Sequence, residues 1–150
     1  MFTKSNADVG GRIINTVIND YSKILSNLYL VDSLGVRNYL SAVRYACFVI
    51  GNSSSGIAEA PAMGVPTVNI GERQRGRLKP DSVVDCKPIR TDIVNAISKV
   101  LSPEFRNNVR QSTLYGDGET SQKVVDIIIK FLSLDAVNIK KQFYDIDFDS

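Results

Sequence analysis

The 150-residue sequence has no histidine and no tryptophan. The commonest general acid–base side chain therefore cannot come from these residues. It has only two cysteines, Cys47 and Cys86, far apart, with no CxxC and each beside an apolar stretch. That pattern excludes a secreted disulfide framework and predicts core thiols in a reducing compartment. No segment approaches the roughly 20 apolar residues of a membrane span, and the opening MFTKSNADVGGR lacks a signal peptide's apolar stretch. A cytoplasmic protein with no membrane partner is expected. The net charge of +2 is too near neutral to indicate nucleic acid. The strict phosphate-binding patterns GxxxxGK[ST] and GxGxxG are also missing.

What is present is a globular balance, 43% apolar and 23% charged, in a chain long enough for one substantial core. The elements alternate. Asp8 is placed to cap a helix carrying Ile13, Ile14, Val17, Ile18 and Tyr21, entered within ten residues of the start as though something preceded it. NLYLVD reads as a short strand and NYLSAVRYA as a helix. CFVIG is continuously apolar, as a strand buried on both faces should be. IAEAPAM reads as a short helix ended by Gly64, and Pro66 opens the strand PTVNI. After the polar loop GERQRGRLKPDS come a weak strand at VVDC and a helix capped near Thr91. A short helical piece from Pro103 and the helix KVVDIIIKFL follow. Such alternation predicts a parallel sheet with helices on both faces, a Rossmann-like α/β domain over residues 1–133. Residues 134–150 read as a tail, and its DIDFDS end as a frayed acidic terminus rather than a metal site.

Two loops carry the candidate chemistry. GNSSSG follows CFVI, where ligands of open parallel sheets bind. Glycine permits close backbone approach, and the serines add hydroxyls to the N–H groups of a first helical turn, which suits a diphosphate. Glu59, three residues after Gly56, would repel a phosphate but would accept hydrogen bonds from a neighbouring diol such as a ribose. The second loop, NIGERQRGR, sets Arg73 and Arg77 four apart with Arg75 between them, and guanidinium forks match phosphate oxygens. Taken singly, a capped turn explains the first segment as well as a ligand does, and a solvated charged loop explains the second better. Two such loops after adjacent strand–helix units would open at one edge of the sheet and together form a polyanion site.

The stretch SLGVRNYLSAVRYACFVIGNSSSGIAEAPAMGVPTVNIGERQRGR, with YGDGETSQKVV and KKQFYD, closely resembles the carboxyl-terminal half of hydrolysing UDP-N-acetylglucosamine 2-epimerases, sialic-acid-pathway branch. The resemblance covers nearly the whole chain, and GNSSSGxxEAP paired with GxRQxGR is highly specific. It implies the second of two Rossmann-like domains facing a cleft, the glycosyltransferase-B arrangement. It implies that Ser53, Ser54, Ser55 and Gly56 hold the diphosphate of UDP and that Glu59 binds the ribose. Arg73 would reach the phosphates, with Arg77 a second candidate. Asn6 would face the nucleotide sugar, and the backbone near Leu34 would line the uracil pocket. The family's reaction eliminates UDP from UDP-GlcNAc and adds water to give N-acetylmannosamine, with no cofactor and no metal.

By the same resemblance the proton-transferring carboxylates and histidine belong mostly to the first domain or to the segment just before residue 1, so no catalytic residue is expected here. This chain by itself is expected to be inactive, and full-length relatives to be homo-oligomers. The nucleotide half of a UDP-sugar glycosyltransferase and a non-catalytic UDP-binding fragment are the other readings. Fold cannot separate them, but the paired motifs favour the epimerase.

Overall fold

The computed structural model describes residues 1–5, 10–133 and 140. Asn6, the expected cap Asp8 and the DIDFDS end lie outside the described residues. The chain forms two compact units, Met1–Leu114 and Tyr115–Ser150.

The first unit runs β1 (Phe2–Thr3), α1 (Gly11–Ile24), β2 (Leu30–Val31), α2 (Gly35–Arg44), β3 (Val49–Gly51), a single 3-10 turn (Ser54–Gly56) and α3 (Glu59–Ala62). It continues through β4 (Thr67–Ile70), β5 (Val83–Cys86), α4 (Arg90–Leu101) and α5 (Pro103–Asn108). Among the described residues every strand pairing is parallel: β1 with β2 in one ladder, and β3–β4–β5 in order in the other. Parallel neighbours require crossovers, and the helices supply them. The result is the α/β, Rossmann-like architecture that the alternation predicts, and it resembles a domain of the glycosyltransferase-B fold.

The core follows from the period of two along the strands. Val68 and Ile70 of β4, with Val84 and Cys86 of β5, face Ala96, Ile97 and Val100 of α4 and Phe105 of α5. On the opposite face Val49 of β3 packs with Tyr39, Val43 and Ala46 of the α2 region, and with Ala60, Met63 and Val65 around α3. Helices thus cover both faces of the three-stranded ladder. Val68 and Val100 are 0% exposed, and full burial of a valine contributes about 1.5–3 kcal/mol. Gly64 ends the α3 turn with φ 70°, the left-handed conformation that glycine takes without strain.

The sequence reading is corrected in four places. β3 is not buried on both faces: Ile50 is 36% exposed and Cys47 is exposed, because among the described residues β3 pairs only with β4 and is an edge strand. Cys47 is therefore not a core thiol. The partly buried Cys86 is, and burial, then the charges of Asp92 and Asp85, push its thiol pKa up. A strand the periodicity does not reveal, β1, pairs with β2 through Phe2↔Leu30 and Thr3↔Val31. Helix α1 leaves its apolar face uncovered, with Ile13 71% and Tyr21 56% exposed. It packs on β2, and a ladder of dipeptide strands is too small to cover a 14-residue helix. Finally, α4 starts at Arg90 after an Ile89 cap, so Thr91 lies inside it and does not cap it.

The second unit contains α6 (Thr120–Leu132), with Val124, Ile127, Ile128 and Phe131 exposed along it. Its entry is fixed by Asp117, whose Oδ1 accepts from the Glu119 N–H at 3.1 Å and whose Oδ2 lies 2.9 Å from Lys123 Nζ. Among the described residues, no helix is long and apolar enough to cross a membrane.

Candidate functional site

Because β3, β4 and β5 run parallel in register, their carboxyl ends lie side by side: Gly51 pairs with Asn69, and Ile70 with Cys86. The serine loop leaves β3 and the arginine loop leaves β4, so the two open at the same edge, as the spacing predicts. Side-chain hydrogen bonds tie the arginine loop to its neighbours. Gln74 Nε2 donates to the carbonyl of Asn52 at 2.7 Å, which joins it to the serine loop. Lys79 Nζ donates to Asp85 Oδ2 at 2.7 Å, which ties its far end to β5. Asp85 also accepts from Asn69 Nδ2 at 2.7 Å. Burial raises the Asp85 pKa, but the hydrogen bonds from Lys79 and Asn69 outweigh it and hold the carboxyl below its usual value. It stays ionised and keeps the anchor at neutral pH.

The serine loop is tighter than the sequence reading supposes. Ser53 is extended, and its Oγ accepts from the Ser55 N–H at 3.3 Å, which caps a 3-10 turn. The Gly56 N–H donates to the Ser53 carbonyl, and the Ile57 and Ala58 N–H groups donate to the Ser54 carbonyl. Those N–H groups are spent inside the turn, so an anion held here relies on the hydroxyls. Ser53 and Ser54 are exposed, while Ser55 is half-buried with its Oγ 2.6 Å from the Tyr39 hydroxyl of α2. Gly56 is buried, and a Cβ there would lie 2.8 Å from Thr67 Cγ2 on β4. Only glycine lets the turn pack this closely on the sheet. Glu59 heads α3, exposed to solvent.

Arg73 and Arg77 are exposed on the second loop, with Gly71 (φ 75°) and Gly76 (φ 77°) at its bends. Arg75, between them, pairs locally with Glu72 at 3.6 Å. Gln74 is turned the other way and is only 3% exposed. Ser53, Ser54, Ser55, Gly56, Arg73 and Arg77 therefore stand on two loops that a side-chain bond locks together. Leu34 stands at the cap of α2, after β2 of the other ladder. Asn6 lies outside the described residues.

Two residues escape the sequence reading, Gln74 and Tyr39. Gln74 was findable: in GERQRGR it is the one uncharged polar side chain, so it is the cheapest of them to bury. Tyr39 carries no such signal, since its helical spacing marks it only as core.

Between β1 and β3 lies an apolar cleft of about 770 Å³, lined by Phe2, Val43, Phe48 and Val49 and reaching Ser53 and Ser55. The serine loop borders it, so a ligand anchored on the serines has an apolar wall beside it.

Residues 1–129 match the family described as UDP-N-acetylglucosamine 2-epimerase. The chain is 37% identical, over 148 residues, to a Campylobacter jejuni protein named GDP/UDP-N,N'-diacetylbacillosamine 2-epimerase (hydrolyzing), with 97% of this chain and 38% of that protein covered. It is 36% identical to the Escherichia coli polysialic acid biosynthesis protein P7, covering 97% of this chain and 37% of the relative. It is 29% identical to a Legionella pneumophila UDP-N,N'-diacetylbacillosamine 2-epimerase (hydrolyzing), covering 82% and 32%. The chain spans between 32% and 38% of these relatives' length. With the family's match running through both the serine and the arginine loops, the chain belongs to the UDP-N-acetylglucosamine 2-epimerase family.

Proposed function

We propose that the chain is the UDP-binding, carboxyl-terminal half of a hydrolysing UDP-sugar 2-epimerase of the sialic-acid-forming kind, with UDP-GlcNAc as substrate. The observation that carries it is the pair of loops at adjacent strand ends, one rich in hydroxyls and one in guanidinium groups, joined by the Gln74–Asn52 bond. In this reading the exposed hydroxyls of Ser53 and Ser54, and that of Ser55, donate to the diphosphate, with Arg73 and Arg77 adding charge. Glu59 takes the ribose hydroxyls, and Leu34 and Asn6 lie toward the base and the sugar.

The chemistry asks for such a site. Elimination breaks the bond between C1 and the β-phosphate oxygen, a base takes the C2 proton, and the electron pair leaves with UDP. Negative charge gathers on the diphosphate as that bond breaks, and preformed donors aimed there lower the barrier. Water then adds across the new double bond to give N-acetylmannosamine. These residues serve the leaving group; the base that takes the C2 proton belongs to the other half, and the whole enzyme is a cytoplasmic homo-oligomer.

Calorimetry on the 150-residue chain tests the reading. UDP is expected to bind, and to bind about as well as UDP-GlcNAc, since half a cleft grips the sugar little. Failure to bind UDP, or a strong preference for GDP, would sink the assignment. Glu59→Ala should weaken UDP while leaving pyrophosphate unchanged, because its partner is the ribose. Equal losses for both ligands would place Glu59 elsewhere.

Tyr39 gives a finer test. A phosphate oxygen only accepts at this pH, so Ser55 must donate to it, and Tyr39 must then donate to Ser55. Tyr39→Phe removes that second bond, a neutral one worth about 0.5–1.5 kcal/mol. UDP affinity should fall a few-fold while uridine affinity holds. Unchanged UDP binding would show that Ser55 does not touch the phosphate.

A further inference from the structure

The geometry points to Gln74 as a positioning residue, one that sets the serine loop against the arginine loop and so fixes the spacing of the groups on both. The inference rests on the reading of the two loops as the diphosphate site and deepens it. Gln74 is 3% exposed, amid the exposed side chains of Glu72, Arg73, Arg75 and Arg77. Two tight turns, Arg75 N–H to the Glu72 carbonyl at 2.9 Å and Arg77 N–H to the Gln74 carbonyl at 3.4 Å, turn this one side chain inward and leave the arginines outside.

Its bond to the Asn52 carbonyl spans 22 residues of chain and lands one residue before Ser53. The orientation of the amide is chemically fixed, since only its nitrogen can donate to a carbonyl. Its other end is costly: among the described residues, the buried Oε1 has no hydrogen-bond partner. An apolar side chain of the same length would fill the space without that penalty. Glutamine is therefore a poor choice for packing alone and a good one for holding Asn52. The loop it holds is also tied to its neighbours by the Tyr39–Ser55 bond and by the packing of Gly56 on Thr67. A bond at its entrance decides where the hydroxyls of Ser53 and Ser54 stand relative to Arg73.

The test is Gln74→Met in the full 150-residue chain, read three ways. Stability should hold, with Tm within about 2 °C of the parent, because the lost bond and the relieved orphan oxygen offset one another. Without ligand, amide exchange at Ser55 and Gly56 should quicken about threefold to tenfold, as expected for one lost hydrogen bond. UDP affinity should fall roughly tenfold while uridine affinity stays. Gln74→Glu, which keeps the shape but places a carboxylate against the Asn52 carbonyl, should quicken exchange and weaken UDP at least as much. Unchanged exchange in both variants would overturn the inference. So would a large fall in Tm with UDP and uridine weakened equally, the mark of a merely structural residue. Failure of the parent chain to bind UDP would instead defeat the diphosphate reading, and faster exchange in the variants would still uphold Gln74 as the latch.

Discussion

Arg73→Ala is expected to weaken UDP binding about tenfold or more, with uridine binding scarcely changed. Tenfold is about 1.4 kcal/mol, below the roughly 2–5 kcal/mol for truncating a desolvated charge partner. The smaller figure is chosen because Arg73 is exposed on the loop after β4. Arg73→Lys separates charge from geometry. Lysine keeps the charge but loses the two-pronged fork that matches phosphate oxygens, so a clear loss is expected there too. Added salt should shrink the effect of Arg73→Ala, since screening weakens exposed charge pairs first. Calorimetry with UDP and uridine at two ionic strengths reads all of this. If Arg73→Ala left UDP and uridine equally untouched, the loop would be ordinary solvated chain and the diphosphate would rest on the serines alone.

The alternation from α2 to α5 was legible in the sequence because each element there carries a local mark. Gly64 and Pro66 punctuate the passage from α3 to β4, and Val68 sits in the run PTVNI that Pro66 opens as a strand. β1 was not legible, since Phe2 and Thr3 are too short a strand to show a period. The edge position of β3 was not legible either: an apolar run fits an edge strand beside a cleft as well as a central one. In the candidate site, the serines and arginines were legible because hydroxyls and guanidinium groups on loops are unusual enough to stand out. What holds them in place depends on partners far away in sequence, Tyr39 with Ser55 and Gln74 with Asn52. The motif GNSSSG suggests N–H groups open to an anion. A 3-10 turn spends most of them internally, a difference of one residue in hydrogen-bond register that propensity does not report.

Gly56→Ala should lower stability by about 1–3 kcal/mol, the usual cost of forcing one extra carbon into a filled core. The added Cβ would meet Thr67 Cγ2 at 2.8 Å, too close for two carbons. Thr67 is 1% exposed, in the middle strand of its ladder, so it has little room to give way. The turn must then lift from the sheet, carrying the hydroxyls of Ser53, Ser54 and Ser55 with it. UDP affinity should therefore fall along with Tm, which is expected to drop by roughly 3–10 °C. A second substitution identifies the cause. Thr67→Ser deletes the clashing methyl and keeps the hydroxyl, so it opens a small cavity by itself and costs about 1 kcal/mol. In the double variant the alanine methyl fills that cavity. The two losses should fail to add, with a coupling of at least about 1 kcal/mol between them, and UDP binding should recover. If the losses simply added, the clash would not be the cause. If Gly56→Ala alone left both Tm and UDP binding intact, the serine turn would be more pliable than its packing against Thr67 implies.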